Sequence, residues 1–332
     1  MENYRLSWEN LIGHAATADY LRKNISEQKF PHAVIFSGAE GIGKRFAAAI
    51  CAAALLCEHA KDGLPCGVCE SCRLVAAKTH PDFYVVEPEE SKTARNIKIG
   101  QIREMQNEAS LRPINSERRV VIIDGAELMN NAAANCLLKT IEEPPSQTIF
   151  ILLTANRSSL LMTIRSRCRS INFDKIPAEK IYDALISRGV EETEAKNLSI
   201  IADGSLGRAL KLKESGGAEI RATAVELLEK ISRAELTNEE IFKRGAEISE
   251  WTRDKFADLL NHVQKILRDI CFAEFMELRN PDLAPRLSKI RIPERKILLM
   301  IEAGAEIHKR LKSNASLRLL AEAYLLQLKK SV

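Results

Sequence analysis

The stretch that decides the fold is Gly38-Ala39-Glu40-Gly41-Ile42-Gly43-Lys44-Arg45. An apolar run, residues 33–36, precedes it, and an alanine-rich segment, residues 46–56, follows it. A strand, a glycine loop and a helix in that order are the setting of a phosphate-binding loop. The glycines let backbone N–H groups turn around an anion, and the N-terminus of the helix adds partial positive charge. The stretch therefore predicts an α/β fold with a phosphate-binding loop.

This loop departs from the usual motif at the residue that binds metal. Lys44 stands where the motif's lysine reaches the outer phosphates, and the next residue should be Ser or Thr, whose hydroxyl binds Mg²⁺. Here it is Arg45, which has no acceptor atom and places a fixed positive charge near the metal position. We expect a degenerate nucleotide site in which ATP or ADP binds weakly or not at all, without Mg²⁺ and without turnover. Its predicted residues in the loop are Gly38, Gly41, Gly43, Lys44 and Arg45.

Two further buried strands are predicted to end beside this loop. Residues 118–124 form an apolar run that ends in Asp124, which is typical of a central parallel strand with a carboxylate at its tip. In nucleotide hydrolases such an aspartate holds Mg²⁺, and a glutamate often follows it as the base. Gly125 follows here, and Glu127 is expected to begin the next helix and to point elsewhere. Residues 148–153 predict another strand, and Thr154 at its tip either senses a γ-phosphate or caps the strand.

Four of the eight cysteines cluster with the spacing C-x8-C-x2-C-x2-C. Short Cys-x-x-Cys loops place two sulfurs on one ion, and four thiolates make the closed tetrahedral site of a structural zinc. A redox pair or chance clustering is the alternative. The pattern predicts a zinc module at residues 57–72, inserted between the helix after the phosphate-binding loop and the next strand. The predicted ligands are Cys57, Cys66, Cys69 and Cys72.

Composition and pattern are those of a globular protein with more than one domain. The chain has 332 residues, 45% apolar and 28% charged, with a net charge of only +4, so no global charge argument for nucleic acid follows. The start is polar and resembles no signal peptide, and the longest apolar run is too short to span a bilayer. We expect a cytoplasmic protein with no membrane partner. Beyond residue 177 the pattern is almost entirely helical, and Gly216-Gly217 marks a further boundary.

Three features together resemble the AAA+ subunits of the bacterial DNA polymerase III clamp loader. They are the cysteine module after the loop helix, Leu137-Leu138-Lys139-Thr140-Ile141-Glu142-Glu143-Pro144-Pro145, and Ser166-Arg167-Cys168. The resemblance covers residues 5–215, and beyond them the chain matches only in length and helical character. It implies an α/β plus all-α fold: a RecA-like AAA+ domain with the cysteine module (1–174), a small helical lid (175–215) and a helical collar domain for oligomerisation (216–332).

The resemblance also implies a role and partners. The family's gamma/tau subunits are intact ATPases, whereas its delta-prime type has decayed nucleotide motifs. This chain resembles delta-prime in Arg45, in Gly125 and in ending with the third domain. The implied partners are gamma/tau and delta subunits in a hetero-pentamer, the sliding clamp, and primed DNA. The chain would act there as a stator and as part of the nucleotidyltransferase holoenzyme.

Two arginines take roles from the resemblance. Arg167 matches the arginine finger that serves the neighbouring subunit's ATP, and such a guanidinium stabilises charge on a transferring phosphoryl group. A surface salt bridge is the alternative, and Arg165 would share the phosphate or DNA contact. Arg208 falls where the family's lid has a sensor arginine. Two other functions stay open: an active ATPase of the gamma/tau type, and a stand-alone zinc protein that binds nucleic acid. The lack of aromatic residues around the cysteines argues against the latter.

Overall fold

The computed structural model of the chain describes residues 6–90, 95–145, 147–214, 217–272, 278, 280, 283–311 and 315–330. The chain divides into two compact units. The first contains the described residues up to Arg188 together with Gly204–Arg208, and the second contains Gly189–Asp203 and the described residues from Ala209 onward. The three domains expected from the sequence, 1–174, 175–215 and 216–332, stay a prediction, and the boundary at 215 and 216 lies outside the described residues.

A five-stranded parallel sheet forms the centre of the first unit. Its strands have the spatial order β2-β5-β6-β1-β7, and a short antiparallel pair, β3 and β4, lies outside it. The strands are β1 (Ala33–Ser37), β2 (Phe83–Val86), β3 (Glu89–Glu90), β4 (Arg95–Asn96), β5 (Arg119–Asp124), β6 (Thr148–Thr154) and β7 (Arg169–Asn172). This confirms the predicted α/β core, and the predicted strand bounds are met within two residues.

Burial explains why the central strands are continuous apolar runs. Every residue of β1 and β6 is buried, and so is every residue of β5 before Asp124. A parallel sheet covered by helices on both faces has no polar side, so its strands do not alternate. The register pairs Asp124 with Leu153 and Ser37 with Thr154. The carboxyl ends of β5, β6 and β1 therefore lie at one edge of the sheet.

Helices cover this sheet and connect its strands. Ile102 and Met105 of one helix and Leu137 of another are fully buried against the β5 and β6 side chains. The helices are α1 (Ala15–Ser26), α2 (Lys44–Leu56), α3 (Glu70–Ala77), α4 (Ile99–Ser110), α5 (Asn131–Glu142), α6 (Met162–Arg167) and α7 (Ala178–Ile186). Short 3-10 helices lie at Trp8–Asn10, Ala126–Leu128 and Arg157–Ser159.

The second unit is helical throughout the residues that are described, as the sequence pattern predicts. Its core contains the fully buried side chains of Phe256, Met300 and Tyr324, and α10 packs on α12, α11 on α15, and α12 on α14. The helices are α8 (Glu192–Ile201), α9 (Leu206–Glu214), α10 (Gly217–Ser232), α11 (Asn238–Ser249), α12 (Arg253–Phe272), α13 (Ala284–Leu287), α14 (Glu294–Arg310) and α15 (Leu317–Lys330). The first three residues of α9 belong to the first unit, and the rest of α9 belongs to the second. Of all the helices in the described ranges, none is long and apolar enough to cross a bilayer.

A buried ion pair holds the loop between α4 and β5. Asp82 is fully buried and accepts hydrogen bonds from the backbone amides of Ile114, Asn115 and Ser116 at 2.7–2.9 Å. The guanidinium of Arg119 lies 3.4 Å from the same carboxylate. Burial raises the pKa of Asp82, but these hydrogen bonds outweigh burial and leave the pKa below its usual range. The carboxylate therefore stabilises the fold above about pH 4, and this contribution is lost as the pH falls through the folded-state pKa.

We expect Asp82→Asn to destabilise the first unit by about 3–5 kcal/mol, because it leaves the buried Arg119 without a counter-charge. Urea unfolding in a Trp251→Phe background measures this, since Trp8 then reports on the first unit alone. Glu117→Gln, at an exposed acid of the same loop, is the control and should change stability by less than about 0.5 kcal/mol. A loss of less than about 1 kcal/mol for Asp82→Asn would show that the pair is not essential.

Candidate functional site

The phosphate-binding loop lies where the sequence predicts it, between β1 and α2. Gly41 and Gly43 have φ angles of +72° and +112°, which L-residues with a side chain rarely adopt. Gly43 is the residue that precedes the first turn of α2. The strand, the turning loop and the helix N-terminus are therefore all present, as a phosphate-binding loop requires.

Lys44 is buried within this loop. Its Nζ donates to the carbonyl oxygens of Gly38 at 2.5 Å and Ala39 at 2.7 Å. Burial lowers the pKa of Lys44, while the carboxylates of Glu127, Asp124 and Glu40 act in the opposite direction. The ammonium group thus faces both the loop backbone and the acidic residues beside it.

Residues distant in sequence hold the loop carbonyls. Ser205 Oγ donates to Glu40 O at 2.8 Å, and Gly207 N donates to Gly41 O at 2.8 Å. A Cβ atom on Gly207 would lie 2.8 Å from both the Cα and the O atom of Gly41, so this contact needs glycine. The start of α9 therefore packs directly on the phosphate-binding loop.

His14 also supports the loop, although the sequence did not mark it as a site residue. Its Nε2 lies 2.9 Å from Ile42 O, and because a carbonyl can only accept, Nε2 carries the proton. Burial lowers the pKa of His14, which favours the neutral ring. The ring packs edge-on against Phe173 with their centroids 5.0 Å apart. No local motif identifies this contact, because it joins the residue before α1 to a loop 28 positions away.

A cleft of about 640 Å³ opens beside the loop at the carboxyl edge of the sheet. The strand register brings Asp124 and Thr154 to this edge, as the sequence predicts. Thr154 is buried, and its Oγ1 accepts a hydrogen bond from Asn156 N at 3.1 Å, which is the strand-capping arrangement. The lining includes Gly41, Gly43, Lys44, Arg45, Asp124, Glu127 and Thr154.

Arg45 pairs with two carboxylates at the cleft. Its Nη1 lies 3.1 Å from Asp124 Oδ2, and its Nη2 donates to Glu87 Oε1. Glu87 was not anticipated from the sequence, although it directly follows β2. Val86 pairs with Ile123, so the parallel register carries Glu87 and Asp124 to the same edge. One guanidinium therefore occupies an oxygen of each of the two carboxylates that could otherwise hold a metal ion.

The position of Glu127 corrects one expectation. Glu127 was expected to point away from the loop, yet it lines the cleft, and its Oε1 accepts from Ala155 N at 2.9 Å. The reason is that Gly125, with φ of +72°, starts only a single 3-10 turn and not the next long helix. The Oε2 atom of Glu127 is buried and has no hydrogen-bond partner among the described residues.

The two predicted arginines lie in different surroundings. Arg208 is half-buried at the start of α9, where its backbone N donates to Ser205 Oγ at 3.2 Å. Among the described residues, those that line the cleft do not include Arg208. Arg167 ends α6, is 40% exposed, and also lies outside that lining. The neighbouring Arg165 is partly buried, and its Nε finds no partner within the described parts of the chain.

The four predicted metal ligands come together at one point. The sulfur atoms of Cys57, Cys66, Cys69 and Cys72 all lie within 4.8 Å of one another, a set that could hold a metal ion. Backbone N–H groups also point at the sulfurs: Cys66 N lies 3.3 Å from Cys57 Sγ, and Cys69 N lies 3.3 Å from Cys66 Sγ. Amide hydrogen bonds from Val68 and Cys69 lower the pKa of Cys66 to about 6, which favours its thiolate.

Comparison with known proteins shows that the chain is similar to subunits of DNA polymerase III. A family model described as DNA polymerase III, delta subunit, matches residues 13–177. The delta' subunit of Pseudomonas aeruginosa is 36% identical over 208 residues, 62% of each chain. The delta' subunit of Escherichia coli is 33% identical over 199 residues, 59% of each chain, and the tau subunit of Bacillus subtilis is 34% identical over 212 residues, 62% of this chain and 37% of tau.

One solved structure is a DNA polymerase III gamma subunit-related protein from Thermotoga maritima, 18% identical, with a TM-score of 0.43 over 94% of this chain and 98% of that one. The chain spans 62% of the length of the P. aeruginosa and Bacillus subtilis delta' relatives. The family model covers the residues that form the sheet, the phosphate-binding loop and the cysteine cluster, and the delta' relatives are 33–36% identical. Over residues 13–177, these matches support a member of the DNA polymerase III delta' family.

Proposed function

We propose that this chain is a non-hydrolysing stator subunit of the bacterial clamp loader. In this role it assembles with gamma/tau and delta subunits and helps to place the sliding clamp on primed DNA. It assists ATP hydrolysis at a neighbouring subunit by supplying Arg167. The single observation that carries the non-hydrolysing role is the guanidinium of Arg45 paired with Asp124 and Glu87.

The chemistry of hydrolysis explains why this pairing matters. Mg²⁺ bridges the outer phosphates and neutralises the charge that develops on them, and it is held by a loop hydroxyl and by the aspartate at the strand tip. Arg45 replaces the hydroxyl and has no acceptor atom. Its guanidinium also takes one oxygen of Asp124, at 3.1 Å. One residue therefore removes the hydroxyl ligand and competes with the metal for the aspartate.

Arg167 is suited to serve a different subunit's nucleotide. It lies at the end of α6, outside the lining of this chain's own cleft, and is 40% exposed. An arginine supplied across an interface stabilises the charge on a transferring phosphoryl group, and the chain that supplies it does not need to hydrolyse ATP itself. These features support the family-based role of Arg167 as a finger in trans.

We propose zinc as the ion of the cysteine cluster. Four thiolates suit the tetrahedral coordination that zinc prefers, and they leave no open position for catalysis. The four ligands tie the end of α2 to α3 around the intervening loop. Metal binding would therefore stabilise the folded state of the zinc module, residues 57–72.

An active ATPase of the gamma/tau type is the second candidate. Lys44, Asp124, Glu127 and Thr154 all line one cleft, which favours it, and tau of Bacillus subtilis is as similar in identity as the delta' relatives. The Arg45 pairing argues against it. Magnesium-dependent ATP hydrolysis by the isolated chain would decide for this candidate.

We expect the isolated chain to bind labelled ATP weakly, to the same extent with Mg²⁺ and with EDTA, and to release no phosphate. Arg45→Thr should restore a hydroxyl and free Asp124 and Glu87, so that Mg²⁺ strengthens ATP binding by about tenfold relative to EDTA. Arg73→Thr, at an exposed arginine of α3, is the matched control and should behave like the natural chain. Hydrolysis that needs Mg²⁺ in the unmodified chain contradicts the proposal.

Arg167→Ala should reduce the DNA-stimulated hydrolysis of the neighbouring site by about 10³-fold while the complex still assembles. Single-turnover ATP hydrolysis in the complex reconstituted with gamma/tau measures this, and gel filtration checks assembly. Arg73→Ala controls for loss of a surface arginine and should hydrolyse ATP at the natural rate. An unchanged rate for Arg167→Ala would assign that arginine to an ordinary surface ion pair.

Protein purified without added metal should contain about one zinc per chain, measured by elemental analysis. Cys66→Ser should lower the zinc content and the melting temperature, because the closed site loses a ligand. Cys271→Ser removes a cysteine outside the cluster and should change neither. Zinc well below one per chain in carefully prepared protein would count against a structural metal.

A further inference from the structure

An acidic residue of the motif at residues 137–145 lies against Arg167. Glu142 is the last residue of α5, and its Oε1 is 2.7 Å from Arg167 Nη2. The other terminal nitrogen, Nη1, lies 3.2 Å from Thr163 O and 3.4 Å from Ser166 Oγ. The guanidinium is thus held on both terminal nitrogens, from α5 on one and from its own helix on the other.

Glu142 and Arg167 each have a neighbour in the chain that is buried in one shared core. Ile141, beside Glu142, is 1% exposed, and Cys168, beside Arg167, is 8% exposed. Both belong to the same hydrophobic cluster, and Ile164 of α6 is fully buried there. Packed interiors resist small displacements, so the carboxylate is presented to the guanidinium from a rigid support.

The contacts leave donors of Arg167 available. A guanidinium has five N–H groups. Nη1 contacts Thr163 and Ser166 by hydrogen bonds, and Nη2 contacts Glu142 as an ion pair. Among the described residues, Nε therefore has no partner, and Nη2 has none besides Glu142. The side chain of Arg167 is 40% exposed, so these donors can meet a phosphate oxygen from outside the chain.

We propose that Glu142 is a positioning residue that orients Arg167 for the phosphoryl group of a nucleotide bound by the neighbouring subunit. The proposal rests on the proposed function of Arg167. An unrestrained arginine has many rotamers, and a finger that is already oriented loses less freedom when the transition state forms. The carboxylate of Glu142 also competes with the phosphate for the positive charge of Arg167. Solvent at these half-exposed side chains screens that competition, whereas the restraint on the orientation of the guanidinium does not depend on long-range charge.

The test uses the clamp-loader complex reconstituted with the full chain and the ATPase subunits. Glu142→Ala should lower kcat for DNA-stimulated ATP hydrolysis by about tenfold and leave the KM for ATP unchanged, because the orientation matters in the transition state. Glu142→Gln keeps an acceptor at the same place and should recover most of the rate. Glu143→Ala, at the exposed neighbouring acid, is the matched control and should hydrolyse ATP at the natural rate.

A double-mutant cycle separates this proposal from the one on which it rests. If Glu142 acts through Arg167, the double variant Glu142→Ala with Arg167→Ala should be no slower than Arg167→Ala alone. A normal rate for Arg167→Ala overturns both proposals. If Arg167→Ala hydrolyses ATP slowly but Glu142→Ala hydrolyses it at the natural rate or faster, the role of Glu142 alone is overturned. The same holds if the losses of rate add in the double variant. Gel filtration and thermal unfolding identify a variant whose loss comes from misfolding, and Glu142→Gln then decides between these outcomes.

Discussion

The parallel register of β5, β6 and β1 is the constraint on which the candidate site depends. It sets Asp124 beside Leu153 and Ser37 beside Thr154, so that three strands end at one edge. Both faces of these strands are buried, and a slip of one residue would turn each side chain to the wrong face. Because the edge is fixed, the segments that follow the strands must meet around the same cleft. The phosphate-binding loop, Glu87 and the turn at Gly125 are brought together in this way.

Two carboxylates at that cleft are paired with a cation of the chain itself. In a nucleotide hydrolase the metal ion arrives with the substrate and leaves with the product, so the charge of the site changes during turnover. Here the guanidinium of Arg45 is covalently attached and always protonated, and it pairs with Asp124 and Glu87. The cation that pairs with these carboxylates is therefore a fixed part of the chain and does not depend on a bound metal ion. The hydrogen bonds from the start of α9 and from His14 to the loop carbonyls also hold the phosphate-binding loop in place from within the chain.

Much of the fold could be predicted from short stretches of sequence. The strands at 33–37 and 148–154 and the helix after the phosphate-binding loop follow from apolar runs and from helix-forming alanines, which act within a few residues. The grouping of four sulfurs also followed from spacing, because the Cys-x-x-Cys loops bring three of them close regardless of the rest of the fold. The sequence did not predict the orientation of Glu127. The residues after Gly125 do not reveal whether a single 3-10 turn or a full helix begins there.

The sequence by itself determined the strand, loop and helix around Lys44, the cysteine cluster, and the loss of the metal-binding hydroxyl at Arg45. These are properties of residue types at short spacing, governed by local backbone geometry and by burial pattern. Only the tertiary structure decided which charges meet: Arg45 with Glu87, and Arg167 with Glu142. Those pairs join residues 42 and 25 positions apart, respectively, as their numbers show. Their contacts depend on strand register and on helix packing in a shared core, which no local pattern contains.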